Sequence, residues 1–542
     1  MATAASDPRR GTLTGGSPLQ LAYADDVASL PVSNPLLVAI GVMLASLLQI
    51  LDTTIANVAI PHMQSTLGAT PDEISWVLTS YIVAVAVAMP ITGWLADRIG
   101  SRRLFLASVI GFVLSSMLCG MAQNLTQMVL FRALQGATGA FIAPLSQAAM
   151  VDTNKPSRQP QMMAVWGMGI MAGPILGPIV GGYLTENWNW RAVFYVNVPL
   201  GIVSLAILAA TLPSRELVRR KFDGLGFALI AITLTSLQLL LDRGNHIDWF
   251  QSIEAWIYMI VLLSGVWIAV IHFTTAREPL FNRHLFANPN YVFALVFSLV
   301  MGVVMFATMA LLPPMLQRLF GYGVIDTGET LMPRGVGTLL TMQLSGYILR
   351  KGFDPRILIA AGFSIAAASL WEMASWSLQT DYSHIAMSGF IQGIGMGLVF
   401  IPLNASAFAT LPPMLRTDGS SLLNLSRSLG SSVGISIVTS LLAHNMQVSH
   451  SDLAAHVTAS FTSTLDFSTI DRFQSMGEAA LRMVDAEVNR QAAMIAYIDD
   501  FWLMTWLTLA AAPLVVFMKK ADLRRRALPR NAAPEPAAEV PH

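Results

Sequence analysis

The sequence predicts an all-α polytopic membrane protein with fourteen transmembrane helices, arranged as six, two and six. Three observations carry this. Of 542 residues, 54% are hydrophobic and only 12% charged, whereas a soluble domain carries about 25% charged residues. The apolar residues gather into runs long enough to cross a hydrocarbon core of about 30 Å. The lysines and arginines fall mainly in alternate connections between those runs, as the positive-inside rule requires.

Residues 1–35 are polar, carry Arg9 and Arg10, and read as a disordered cytoplasmic tail. The first apolar run, 36–60, is followed by no small-residue cleavage site and reads as an uncleaved helix. Five more runs follow at 74–96, 104–122, 127–150, 162–184 and 192–212, completing an N-terminal bundle over 36–212. Runs at 224–242 and 254–273 form an inserted pair within 213–289. The last six, at 290–312, 329–349, 357–378, 384–410, 419–443 and 497–518, make a C-terminal bundle over 290–518. That bundle includes a long outside loop over 444–495, whose final stretch has helical periodicity. Residues 519–542 form a cytoplasmic tail.

With the N-terminus inside, 23 basic residues lie on the cytoplasmic side and six outside, while Arg132, Arg334 and Arg427 stay within spans. Both termini are therefore expected in the cytoplasm. A repeat supports the two-bundle division. FRALQGATGAFIAPLS at 131–146 is echoed by FIQGIGMGLVFIPL at 390–403, and GWLADRIGSRR at 93–103 weakly by GYILRKGFDPR at 346–356. Related halves around a central cavity suit alternating access.

Composition and motifs also exclude. A net charge of zero argues against a nucleic-acid partner. Cys119 is the sole cysteine, which removes disulfides and cysteine-built metal sites. No phosphate-binding G-x-x-x-x-G-K-[ST] or zinc-binding H-E-x-x-H pattern occurs. Gly393, Gly395 and Gly397 lie inside a hydrophobic run rather than after a strand, which excludes a dinucleotide site. No enzyme, cofactor or metal is expected.

The informative residues are the polar ones in or beside the spans. Asp52, within LDTTIANVAIP at 51–61, lies about eight residues, or ~12 Å, below the outer end of the first span. An acid at that depth faces a cavity or a partner; it reads either as a proton-exchanging group or as a hydrogen-bonding hub for helix packing. Arg132, ~9 Å into the fourth span, reaches a similar level, and reads as a partner that tunes Asp52, directly or through water, or as a snorkelling anchor. Gly169, Gly173, Gly177 and Gly181 recur at spacing four in WGMGIMAGPILGPIVGG at 166–182, so they share one helix face, with Pro174 and Pro178 adding kinks. Asp97, Arg98, Arg102 and Arg103 cluster at the cytoplasmic membrane face, between Gly93 and Arg103. In the second half, Arg427 lies near mid-membrane in NLSRSLGSSVG at 424–434. Glu372 and Arg334 are a further acid and base whose roles stay open. Asn57, Trp76, Gln135, Gln392, Asn404 and Arg427 are candidates to line a cavity. Most of the 29 methionines and 25 phenylalanines are expected to face lipid or neighbouring helices.

These segments together resemble the major facilitator superfamily. G-x-L-A-D-R-x-G-x-R-R at 93–103 matches its signature almost completely, and R-x-x-Q-G at Arg132, Gln135 and Gly136 matches its fourth-span motif. G-P-x-x-G-P-x-x-G-G in the fifth span resembles the antiporter motif of drug exporters, and NWNWRAVFYVNVPLG at 187–201 the junction that follows it in the fourteen-span drug:proton antiporters of the EmrB type. The resemblance covers about 36–518. It implies a proton-coupled exporter of amphipathic toxic compounds, with Asp52 and Arg132 coupling protons and Asp97, Arg98 and Arg102 forming a conformational charge relay. The echo places Arg350 where Asp97 sits, so that relay looks one-sided. The resemblance also implies a docking surface for a periplasmic membrane-fusion adaptor and an outer-membrane channel. Twenty-seven arginines against five lysines fit a GC-rich bacterial genome, and so an inner-membrane location. A dedicated exporter of one metabolite, such as a siderophore or fatty acid, and a non-transporting sensor or scaffold are the alternatives. Intact Asp52, Arg132 and fifth-span glycines argue against the last.

Overall fold

The computed structural model describes residues 27–215, 217–218, 220–244, 247–456 and 478–519. Most of the two tails and the middle of the long outside loop lie beyond these residues. Each apolar run forms a helix, with a turn at Ala140 and Phe141 interrupting the fourth and the eleventh ending at Met373, short of its expected bound. We number the long helices α1 (Pro35–Leu67), α2 (Asp72–Ile99), α3 (Ser101–Met121), α4 (Leu125–Asp152), α5 (Pro156–Asn187), α6 (Ala192–Thr211), α7 (Gly224–Arg243) and α8 (Ile253–Thr275). The second half follows as α9 (Pro289–Arg318), α10 (Val324–Arg350), α11 (Pro355–Met373), α12 (Tyr382–Ala409), α13 (Pro413–His456) and α14 (Arg482–Phe517). Thirteen are long and apolar enough to cross a membrane. The remaining one, α10, matches them in length but carries Asp326, Glu329, Arg334 and Arg350.

Local chemistry sets the helix ends. Asn34 caps α1, accepting from the Leu37 amide, and Gly68 closes it in the left-handed conformation at φ 65°. A capping box of Thr70 and Glu73 starts the next helix. Within α2, Pro90 lacks an amide hydrogen, and the helix passes through a short 3-10 turn over Met89–Ile91. Gly100, at φ 96°, makes the abrupt α2–α3 turn that a side chain would disfavour.

The same helix pairings occur in both halves. Helix α1 packs on α5, α2 on α4, and α3 on α4; correspondingly α9 packs on α13, α10 on α12, and α11 on α12. The halves meet where α5 lies against α10 and α12, and where α4 lies against α13. Helices α7 and α8 pack on each other, and α7 leans on α2 and α13. The outer face of α8 exposes Trp256, Ile260, Leu263 and Trp267, a surface suited to lipid. Beyond the expected membrane region, the last turns of α13 run beside the helix that begins at Glu478. Asn445 donates to Asp499 at 3.3 Å, and His450 lies 3.2 Å from Asp485.

Candidate functional site

Asp52 stands near the middle of α1 and is 1% exposed. Three side chains converge on it. Arg132 Nη1 donates to Asp52 Oδ2 at 2.7 Å. Gln135 Nε2 and Asn197 Nδ2 both donate to Oδ1, at 2.9 and 2.6 Å. Arg132 and Gln135 share a face of α4 because three residues make nearly one helical turn. Asn197 comes from α6, so three helices are joined. All three donors are fully buried.

The arginine is held independently of the acid. Its Nε donates to the Val77 carbonyl at 3.2 Å, its Nη1 to Gln135 Oε1 at 2.8 Å, and its guanidinium lies 4.3 Å from the Tyr81 ring centre. Asn197 is held by Ser116, to whose hydroxyl its amide donates at 3.0 Å. Arg132 and Asn197 therefore have contacts that do not depend on the charge of Asp52. That suits a carboxyl that gains and loses a proton. Asn197 sits in the quoted 187–201 segment, but nothing in its local pattern marks it as a partner of Asp52.

The glycine face of α5 packs on this same α1. A Cβ on Gly169 would fall 2.0 Å from Met43 Cγ, one on Gly173 2.6 Å from Ile50 Cγ2, and one on Gly177 2.0 Å from Thr54 Oγ1. A Cβ on Gly181 would approach Ile55 at 3.2 Å. Thr54 also donates to the Gly173 carbonyl at 3.3 Å. Pro174 and Pro178 lie within the helix between these contacts. The other side of α5 turns to the second half, where Gly167 approaches Met342 and Phe400.

A second charged assembly closes the expected cytoplasmic face, and its partners differ from those read in the signature. Asp97 pairs with Arg220 of the α6–α7 connection at 2.8 Å. Arg98 instead stacks over Trp94, 5.3 Å from its ring centre, and Arg102 donates to the Ala209 carbonyl at 2.5 Å. Arg220 also pairs with Asp418 of α13 at 2.9 Å. Burial works against the charged guanidinium of Arg220, but Asp418 and Asp97 outweigh it and hold its pKa above the usual value. The cluster therefore bridges the two halves, rather than staying within one. Gly93 permits this contact: a Cβ there would fall 1.4 Å from Asp418 Oδ1. Beside it, Asp152 at the end of α4 pairs with Arg416 at 2.9 Å and also with Arg215, which reaches Thr417. Deeper in, Gln147 of α4 bonds Asn404, accepts from Ser420 at 2.7 Å and accepts from Asn424 at 2.8 Å.

The residues expected to line a cavity separate. Gln135 belongs to the Asp52 cluster, and Asn404 to the Gln147 network. Asn57 is exposed, and Trp76 carries Arg243 over its ring at 5.1 Å. Arg427 lies 4.7 Å from the Phe400 ring centre, within the second half, with Nε and Nη2 unpartnered among the described residues. Gln392 is buried, with both amide atoms unpartnered among the described residues. Glu372 pairs with His384 and accepts from Trp376, while Arg334 donates to Thr308 at 2.6 Å and to the Met305 carbonyl at 3.1 Å. These two do not meet.

The sequence matches the Major Facilitator Superfamily over residues 42–435. It is 32% identical to the multidrug export protein EmrB of Escherichia coli strain K12, covering 89% of this chain and 95% of that one. It is 33% identical to the probable multidrug resistance protein EmrY of the same strain, again over 89% and 95%. Among solved structures, the proton:xylose symporter XylE superposes with a TM-score of 0.59 at 11% identity, over 91% of this chain and 98% of that one; this likeness concerns the fold alone. With helix pairings repeated in two halves and a signature loop that meets the opposite half, the chain is a multi-pass membrane protein that belongs to the Major Facilitator Superfamily and, within it, to the EmrB group.

Proposed function

We propose that the chain exports amphipathic toxic compounds in exchange for protons. The single observation that carries this reading is the buried Asp52, ion-paired with Arg132 and bonded by Gln135 and Asn197. A charge costs about 2.5–3.5 kcal/mol at the centre of a membrane helix on insertion scales. Three polar side chains gathered around one buried carboxyl are more than helix packing needs. The relatives named as a multidrug export protein and a probable multidrug resistance protein support this substrate class.

In this reading Asp52 takes a proton from the periplasmic side, which weakens its hold on Arg132 and releases the substrate. Loss of that proton toward the cytoplasm restores the pair. The cross-half ion pairs of Asp97, Arg220 and Asp418 stabilise the state closed to the cytoplasm and must part for substrate to enter. Both termini then lie in the cytoplasm, with the α13–α14 extension on the periplasmic side of a bacterial inner membrane, positioned for an adaptor leading to an outer-membrane channel.

The test is dye-type drug transport in everted vesicles under a pH gradient. Asp52→Asn should abolish proton-driven uptake while inserting in normal amounts. Full transport by that variant would remove Asp52 from the mechanism.

A further inference from the structure

One buried acid lies outside the clusters described so far. Asp500 of α14 is 1% exposed, and neither carboxyl oxygen has a hydrogen-bond partner among the described residues. Helix α14 packs against α9, α11 and α13. On α9, Arg318 stands at the helix end. On α11, Arg356 pairs with Asp354, and Glu372 with His384. On α13, Arg416 and Asp418 belong to the cross-half ion pairs, and Arg427 stacks on Phe400. His444, Asp452 and His456 are exposed, while His450 meets Asp485. On α14 itself, Asp499 accepts from Asn445, Arg490 meets Glu487, and Tyr497 is buried. Asp500 has no ion-pair partner among the described residues.

A carboxylate removed from water without a partner costs several kcal/mol, whereas the neutral acid costs far less. Counted from its helix end, Asp500 also stands at the same place as Asn197. Asn197 lies fourteen residues before Thr211, the end of its helix, and Asp500 lies fourteen residues before Leu514, where the regular helix of α14 ends. Helices α6 and α14 each close a set of six. At this distance from the helix end the first half has the amide that bonds Asp52, and the second half has an acid. Gln392, which the repeat sets opposite Gln135, is likewise buried and unpartnered among the described residues.

We propose that Asp500 is a second proton-binding carboxyl. It is neutral in the state seen here and releases its proton to water when the second half rearranges. The proposal extends the proton-coupled reading of Asp52, but its test needs no transport and no substrate. Full-length protein reconstituted in lipid is examined by infrared difference spectroscopy across pH steps. A carbonyl-stretch band from a buried neutral carboxyl should appear in the wild type, persist in Asp52→Asn and be lost in Asp500→Asn. Asp500→Glu should shift the band, and serves if Asp500→Asn fails to insert. A wild-type spectrum without such a band, or a band untouched by substitution at Asp500, would overturn the proposal whatever the transport assay shows.

Discussion

Arg132 reaches Asp52 at 2.7 Å across eighty residues of sequence, with both side chains closed off from solvent. Removing one partner of such a pair leaves an uncompensated charge. Arg132→Met should destabilise the protein by about 3–5 kcal/mol. Adding Asp52→Asn should recover much of that loss, because the stranded charge goes with it. Thermal unfolding of the two single variants and the double variant checks this, and additive losses would mean that the pair is not coupled.

The glycine face of α5 makes a steric prediction. Gly177→Ala places a methyl 2.0 Å from Thr54 Oγ1 and 2.6 Å from Thr54 Cβ. The expected outcome is a helix pair forced apart, with lower thermal stability and slower transport. Thr54→Ala in the same chain should restore part of both, since it removes the nearer contact. Gly182 has open space around its missing side chain, so Gly182→Ala should leave stability within about 0.5 kcal/mol of wild type.

Arg220 joins Asp97 to Asp418, so Arg220→Gln should loosen the contact between halves. A cysteine at Ser421, whose hydroxyl bonds the Met89 carbonyl at 2.6 Å, reports on that contact. In an otherwise cysteine-free chain, alkylation at 421 from the cytoplasmic side should be several-fold faster with Arg220→Gln than with Arg220 intact. Equal rates would show that the two remaining pairs, Asp152 with Arg416 and with Arg215, hold the face closed by themselves.

Swapping charges gives a sharper check of the same bridge. Arg220→Asp places three acids together and should speed alkylation more than Arg220→Gln does, whereas Arg220→Asp combined with Asp418→Arg should return the rate toward wild type. Failure of the double variant to recover would indicate that the contact depends on geometry beyond charge.

Much of the fold was legible in the sequence because a bilayer imposes one simple rule. Apolar runs long enough to span must be helical, and the repeated FRALQGATG and FIQGIGMG segments marked the related halves. Polar groups in the spans were legible for the same reason: Asp52 and Arg132 are costly in lipid and stood out by type and depth. The spacing of Gly169, Gly173, Gly177 and Gly181 fixed their common face.

Partner choice was not legible. Arg215, Arg220 and Arg416 counted only as cytoplasmic anchors, because the positive-inside pattern records which side a charge lies on and not what it touches. Asn197 is one polar residue in a quoted junction, and Asp500 lies without any motif around it in the last apolar run, 497–518. The sequence by itself determined the apolar runs and set Asp52 and Arg132 within them, both of which follow from local hydrophobicity. The tertiary structure alone decided that Asp97 answers to Arg220 rather than to its neighbours, that Asn197 completes the Asp52 cluster, and that Asp500 has no partner among the described residues. Each of these depends on helices distant in sequence being brought side by side, which a one-dimensional pattern does not encode.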